Sequence, residues 1–86
     1  MEFCRVYEDD NNTLTYSITD YWDSAKTGQH VEMHIERDED PEVYAEFSLP
    51  AYHCHHAYGF KDSDLTRIEE FLRNNAVSIW DMARGY

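Results

Sequence analysis

The sequence predicts an α+β domain in which a four-stranded antiparallel sheet, made of two hairpins, packs against one long C-terminal helix. Two observations lead to this prediction. Apolar and polar residues alternate along segments in the first half of the chain, which is the period of a half-buried strand. The last quarter instead carries apolar residues at helical spacing. A chain of 86 residues has room for one hydrophobic core, so residues 1–86 are expected to form a single ββββα domain.

The first hairpin is predicted from strands over residues 2–8 and 13–19. The second of these segments alternates cleanly, with Leu, Tyr and Ile on one face and Thr and Ser on the other. Residues 9–12, two aspartates followed by two asparagines, separate the strands and are typical of a turn because Asx side chains hydrogen-bond to turn backbone. Residues 20–28 break the alternation and end in a glycine, which predicts a loop.

The second hairpin has the clearest signal, with strands predicted over residues 29–37 and 42–49. Both segments alternate strictly between apolar and polar residues, so that one face of the hairpin is apolar and the other is charged. The acidic residues 38–40 and a following proline form the turn between them. Pro50 closes the second strand, and residues 51–60 are predicted to form a loop or a short extension.

The C-terminal helix is predicted over residues 63–84. Asp62 or Ser63 is a suitable N-cap, and Gly85 is a suitable residue to end the helix. The apolar stripe keeps its phase across the asparagine pair at 74–75, which favours one helix over two. A break at this pair stays open as an alternative, because asparagine is a poor former of helix interiors. The predicted stripe consists of Leu65, Ile68, Leu72, Ala76, Ile79 and Ala83.

Acidic residues dominate the charge, because eighteen Asp and Glu oppose seven Lys and Arg and give a formal net charge of −11. This balance indicates either a highly soluble surface or attraction to a basic partner. Direct binding to DNA, RNA or an anionic membrane is disfavoured, since each requires clustered cations and the seven here are scattered. No signal peptide or membrane-length apolar stretch is found, so a cytoplasmic location with Cys4 and Cys54 as reduced thiols is expected.

The charged face of the second hairpin is the first candidate functional site. Same-face residues on a strand recur at about 6.6 Å, so the carboxylates would form a regular row of negative charge, as along a nucleic-acid backbone. Such a row would block a protein that reads phosphates with a Lys/Arg groove. The alternative is an ordinary solvated face whose charges prevent aggregation. The predicted partner-binding carboxylates are Glu32, Glu36, Asp38, Glu39, Asp40, Glu42 and Glu46, with Glu8, Asp9 and Asp10 as a second patch.

Three aromatic residues are candidate contact anchors for the same partner. Tyr44 lies on the charged face, and Tyr21 and Trp22 lie in the predicted loop. Aromatic side chains ringed by charge are typical of interface hot spots, although they also serve to cover sheet edges. His30 and His34 share the charged face, where nearby carboxylates make them pH-sensitive, but about 13 Å separates them along a strand, too far for joint metal ligation.

One cluster has metal-ligand chemistry: His53, Cys54, His55 and His56. Zinc needs about four ligands in tetrahedral array, and four consecutive residues cannot all point at one ion. A polar loop without metal or other cofactor is therefore expected, with a zinc-binding domain as an alternative. Cysteine beside histidine also suggests a thiol nucleophile, but adjacency in sequence rarely gives the required geometry. With three glycines in the chain, no Gly-rich phosphate loop is found, and we do not expect an enzyme.

In size, net charge and sheet-plus-helix layout, represented by the 29–49 hairpin and the 63–84 helix, the chain resembles the small acidic inhibitors that bacteriophages and other mobile elements encode against CRISPR–Cas systems. The resemblance rests on these properties rather than on a sequence motif. It implies a stoichiometric binder that blocks nucleic-acid or PAM access to the basic groove of a Cas effector, and it would place the protein in the host cytosol. A small regulatory or antitoxin-like module that binds through its helix or aromatic surface is the alternative.

Overall fold

The computed structural model describes residues 1–9 and 12–85 and shows an α+β fold with an antiparallel sheet followed by helices. The predicted α+β class is confirmed. Five strands form one sheet in chain order, and each strand is antiparallel to its neighbours. Residues 10 and 11, which the sequence placed in a turn and in the second acidic patch, lie outside the described residues. The elements are β1 Glu2–Asp9, β2 Asn12–Ser24, β3 Gly28–Arg37, β4 Asp40–Leu49, β5 His53–Tyr58, α1 Asp62–Asn74 and α2 Ala76–Arg84.

Strand β2 is longer than predicted, since it continues through most of the predicted loop at residues 20–28 and ends at Ser24. The pairing register of β2 with β3 shifts between Ile18 and Asp20, as expected for a β-bulge. A bulge reverses the sidedness of every residue that follows it, so the alternation in the sequence looks broken at the point where the strand in fact continues. The loop prediction was wrong for this reason.

Strand β5 occupies the middle of residues 51–60, which were predicted to form a loop or a short extension rather than a strand of the sheet. It pairs with β4 and forms one edge of the sheet, while β1 forms the other. Most of its residues are exposed, and its register shifts opposite the bond between Glu46 and Phe47. An exposed edge strand with a bulge has no buried apolar residues at period two, so the sequence carries no periodic signal for it.

The C-terminal segment forms two helices instead of the single predicted helix. The break falls at Asn75, whose φ of −114° and ψ of 16° leave the helical region. Both the backbone N–H and the side-chain amide of Asn75 donate to the carbonyl oxygen of Phe71, at 3.1 and 2.8 Å. Competition of an Asn side chain for a helix carbonyl is the physical cause of its poor helix propensity. The two helices begin and end within one residue of the predicted 63–84 boundaries.

The core is a single layer between the inner face of the sheet and the two helices. The predicted helical stripe keeps its phase across the break, because residues of both helices are fully buried against the strands. Tyr16 of β2 is buried as well, with its ring centroid 4.4 Å from that of Phe71, and burial raises the pKa of its hydroxyl. The buried helix residues are Ile68, Leu72, Ile79 and Ala83.

Helix α1 begins with a carboxylate that satisfies its free backbone groups. Asp64 Oδ2 accepts the N–H of Lys61 at 3.0 Å, and Arg67 binds the other oxygen. Partial burial alone raises the pKa of Asp64, but the hydrogen bonds from Lys61 and Arg67 outweigh it, so the pKa lies below its ordinary value. Asp64 performs this role in place of Asp62 or Ser63, the predicted caps.

We expect Asp64→Asn to lower the free energy of unfolding by roughly 1 kcal/mol at pH 7, as for loss of a helix cap. A depressed pKa in the folded state contributes stability above the unfolded pKa, and this is lost as the pH falls through the folded pKa. The difference in free energy of unfolding between the wild type and Asp64→Asn, measured by urea denaturation, should therefore shrink as the pH is lowered from 5 towards 2. Asp62→Asn, in the same turn, is the control and should cost a few tenths of a kcal/mol. A deficit that is independent of pH would contradict this assignment.

Candidate functional site

The face of the sheet opposite the core carries polar, charged and aromatic side chains, whereas the buried residues of both helices pack on the inner face. The register of the strands brings these side chains into rows that run across the sheet. We call this surface the outer face. It consists of Glu2, Arg5, Tyr7, Thr13, Thr15, Ser17, Asp20, Trp22, His30, Glu32, His34, Glu36, Tyr44, Glu46, Ser48, His53, His55, His56 and Tyr58.

Four carboxylates follow a zigzag through the centre of the outer face. Glu32 and Glu36 lie in β3, and Glu46 of β4 lies opposite the residue midway between them. Asp20 of β2 lies opposite Glu32 and extends the zigzag to a third strand. From the strand spacing and rise, adjacent Cα atoms along Glu36, Glu46 and Glu32 are roughly 8 Å apart. The regular row predicted for the second hairpin is therefore a staggered one.

Cations are segregated from this zigzag. Among the described residues, Arg5 is the one Lys or Arg on the outer face. Its Nε lies 3.4 Å from Glu2 Oε1 and 3.8 Å from Asp38 Oδ2, so it is already paired. The remaining cations lie in the β2–β3 turn, on the core side or in the helical segment. These are Lys26, Arg37, Lys61, Arg67, Arg73 and Arg84.

Histidine and tyrosine side chains fill the space around Glu46. His34 Nδ1 is 3.5 Å from one oxygen of Glu46, and His56 Nδ1 is 3.7 Å from the other. His34 Nε2 is 3.2 Å from Glu36, so both ring nitrogens of this histidine face a carboxylate. The Tyr44 ring stacks on His34 and its hydroxyl is 3.1 Å from His56 Nε2. Glu46 and Tyr44 were predicted site residues, and His56 joins them through β5.

A second polar group forms around Glu32. One of its oxygens accepts a hydrogen bond from Ser48 at 2.6 Å, and the other is 2.8 Å from His55 Nε2. His53 stacks on His55, with ring centroids 6.2 Å apart. The sequence did not connect His55 with Glu32, because their contact depends on the β4–β5 pairing and on the bulge in β5. The sequence after Pro50 has no periodic pattern that could have revealed this contact.

The predicted aromatic anchors Tyr21 and Trp22 point to opposite sides of β2. Trp22 lies on the outer face, is 41% exposed and stacks on His30 at 5.1 Å between ring centroids. Thr27 fixes the same imidazole, with Oγ1 2.8 Å from Nε2. Tyr21 lies opposite Val31 and packs against the core. Trp22 is therefore accessible together with Tyr44 on the outer face, and Tyr21 is not on that side.

Two of the predicted tip carboxylates fold back onto the neighbouring strands. Asp38 accepts a hydrogen bond from the Thr15 hydroxyl, and its N–H donates to the Thr13 carbonyl at 2.8 Å. Glu39 Oε1 accepts the Thr13 N–H at 2.9 Å. Both side chains therefore fasten the β3–β4 turn to β2, a structural role that needs no partner.

The other acidic candidates are divided between the tip and the helix side. Asp40 and Glu42 are exposed at the tip, where Asp40 Oδ1 accepts the Glu42 N–H at 3.3 Å. Glu8 is on the core side of β1, 3.4 Å from Arg67 of α1, and Asp9 is exposed at the strand end. The second acidic patch, as far as it is described, therefore does not extend the zigzag.

The four candidate zinc ligands do not converge on one point. Cys54 lies opposite Phe47 and packs against the core, whereas His53, His55 and His56 are on the outer face. In residues 1–9 and 12–85, no group of three or more His, Cys, Asp or Glu side chains is arranged to hold a metal ion.

Both cysteines are free and half-buried. Cys4 lies in β1 and Cys54 in β5, at opposite edges of the sheet and about 19 Å apart by strand spacing. A disulfide needs Cα atoms within about 7 Å, so these two residues do not pair within one molecule. Burial and the charge of Glu2 raise the pKa of the Cys4 thiol, which keeps it protonated and unreactive.

The described part of the chain has no pocket, and none of its helices has the length and apolarity needed to cross a membrane. The candidate site is therefore a surface, the outer face, in which carboxylates, imidazoles and aromatic rings are interleaved. Comparison with known proteins adds no identification, because no family model, no curated protein and no solved structure matches this chain.

Proposed function

We propose that this protein is a stoichiometric inhibitor whose outer face binds the cationic groove of a nucleic-acid-binding protein and occupies the place of the nucleic acid. The observation that carries the proposal is the segregation of charge on the outer face. Asp20, Glu32, Glu36 and Glu46 run through its centre, and Arg5, the one outward cation, is already paired with carboxylates.

The spacing of the carboxylates supports this role. Along Glu36, Glu46 and Glu32 the adjacent Cα atoms are roughly 8 Å apart, which is about one Debye length at physiological ionic strength. The potentials of neighbouring carboxylates therefore overlap, and a groove lined with Lys and Arg is attracted to the zigzag as to the continuous negative charge of a phosphate backbone. Binding of this kind is steered by long-range attraction and weakens as salt is added.

Exposed aromatic residues give the same face contact area. Tyr44 of β4 lies opposite Tyr58 of β5, which is 64% exposed, and Trp22 stands at the far end of the face. Tyrosine and tryptophan bury large rings at low entropic cost and are enriched among interface hot spots. The carboxylates thus provide steering, and the aromatic residues provide the apolar contact that charge alone lacks.

The class of partner follows from the resemblance to the small acidic inhibitors of CRISPR–Cas systems. Their Cas targets hold nucleic acid in a positively charged channel, which is complementary to the outer face in charge. A Cas effector is therefore the first partner to test. The proposed action is occupation of a binding groove rather than catalysis.

The test neutralises the zigzag. We expect the triple variant Glu32→Gln/Glu36→Gln/Glu46→Gln to lose at least tenfold in affinity for a decalysine peptide at pH 7.5, because each unit charge near a cation in water changes binding by about fivefold. The same variant should fail to displace labelled nucleic acid from a Cas effector that the wild-type protein inhibits. Fluorescence anisotropy at low and physiological salt measures both effects.

The control is the triple variant Asp62→Asn/Glu70→Gln/Asp81→Asn, which makes the same change in net charge on the helices. It should retain affinity within about twofold, since the helices face away from the outer face. Equal losses in the two triple variants would mean that net charge, and not the outer face, governs binding, and the proposal would then be wrong.

A further inference from the structure

The histidines of this protein share one location. His30, His34, His53, His55 and His56 all lie on the outer face, and the chain has five histidines in total. Three of them contact carboxylates of the zigzag: His34 and His56 contact Glu46, and His55 contacts Glu32. The carboxylates that carry the proposed function are therefore next to the side chains whose charge changes most readily near neutral pH.

His34 has the most demanding arrangement. Its Nε2 is 3.2 Å from Glu36 and its Nδ1 is 3.5 Å from Glu46. A neutral imidazole has one N–H, so one of its nitrogens must present a lone pair to a carboxylate oxygen. An imidazolium has two N–H groups and can donate to both carboxylates at once. The same holds for either tautomer of the neutral ring, since each ring nitrogen faces a carboxylate.

The groups around His34 all favour or tolerate a positive charge. From its own strand it faces Glu36, and from β4 it faces Glu46 and the ring of Tyr44, which stacks on it. From β2 the uncharged Ser17 lies opposite, and from β5 His56 contacts the far oxygen of Glu46. His34 thus lies between two carboxylates in the middle of the zigzag.

We propose that the outer face is a pH-gated docking surface, in which proton uptake by His34 neutralises the centre of the zigzag and releases a cationic partner. The inference rests on the proposed function and specifies how it is regulated. With the imidazole neutral, the carboxylates are available to the partner. Once the imidazole takes up a proton, the imidazolium lies between Glu36 and Glu46, where it competes with the Lys and Arg side chains of the partner.

The experiment compares two histidines of the same strand. His30 is also on the outer face of β3, but its ring contacts Trp22 and Thr27 and no carboxylate. It lies about 13 Å from His34 along the strand, beyond the screening length of about 8 Å at 0.15 M salt. Affinity for decalysine is measured at pH 7.5 and 5.5 in 0.15 M salt for the wild type, His34→Gln and His30→Gln. Circular dichroism at both pH values verifies that each protein is folded.

We expect wild-type affinity to fall at least tenfold on acidification, and that of His30→Gln to fall equally. The fall in His34→Gln should be about fivefold smaller than in the wild type, because removing one unit charge at contact distance recovers about fivefold. His55 and His56, which contact Glu32 and Glu46, account for the remaining fall. Equal falls in His34→Gln and the wild type, or no fall in the wild type, would overturn the inference alone, provided that the glutamate triple variant has lost affinity at pH 7.5. If that triple variant binds normally, the proposed function fails, and this inference fails with it.

Discussion

Ile79→Ala is expected to lower the free energy of unfolding by about 2–5 kcal/mol, the usual cost of removing a buried branched side chain. Ile79 lies in α2 and is 0% exposed, and it continues the apolar stripe of α1 beyond the break at Asn75. A small domain has a total stability of about 5–15 kcal/mol. Urea denaturation followed by circular dichroism should therefore show a much lower midpoint.

The matched control is Val77→Ala, two residues earlier in the same helix. Val77 is also β-branched but is 76% exposed, so its truncation should change stability by at most about 0.5 kcal/mol. Alanine is the better helix former and offsets part of even that small loss. If the two variants were equally destabilised, α2 would not be docked on the sheet through the side of the helix that bears Ile79.

Gly59→Ala is expected to lower the free energy of unfolding by roughly 2–5 kcal/mol. Gly59 follows β5 with a φ of +84°, a conformation that costs an L-residue about 1–2 kcal/mol. A Cβ atom at this position would lie 2.8 Å from Cγ2 of Val43, which is buried, so the strand or the valine must move. Forced overpacking of this kind costs about 1–3 kcal/mol.

Gly28→Ala separates these two contributions. Gly28 has nearly the same φ, +83°, but a Cβ atom there would have nothing within 4 Å. Gly28→Ala should therefore lower the free energy of unfolding only by the backbone cost of about 1–2 kcal/mol. Equal midpoints for the two variants in urea denaturation would show that β5 can shift away from Val43 without cost, and that the edge strand is not held in place by this contact.

The position of β5 matters for the proposed function as well as for stability. This strand supplies His55, His56 and Tyr58 to the outer face, and two of them contact the glutamates that the proposal relies on. A variant that loosens β5, such as Gly59→Ala, should therefore also weaken decalysine binding, although it changes no charge. Gly28→Ala, at the opposite end of the sheet, is the corresponding control.

The parts of the fold that were predicted correctly are those where one side of an element is buried. The strand segments 13–19, 29–37 and 42–49 and the stripe in residues 63–84 each bury one face, and one-sided burial leaves a period in the sequence. The same reasoning predicts from the sequence that Glu32, Glu36, Tyr44 and Glu46 share one surface. These four positions lie there in the structure.

The parts that were missed lack this one-sided pattern. Strand β5 is largely exposed on both sides, so no alternation of buried and exposed residues marks it in the sequence. The second half of β2 is hidden by a bulge, and the break between the helices does not disturb the phase of the stripe. The proximity of His55 to Glu32 joins residues 23 positions apart through backbone pairing, which no local pattern encodes.

The sequence alone determined the amphipathic character of the chain: which residues avoid water, at which period, and with what excess of negative charge. The tertiary structure decided which polar residues meet. Strand pairing and register shifts, such as those in β2 and β5, set the register, and a shift of one residue exchanges the faces of every side chain that follows. For that reason Tyr21 packs inward, Trp22 points outward, and the histidines surround the carboxylates of the outer face.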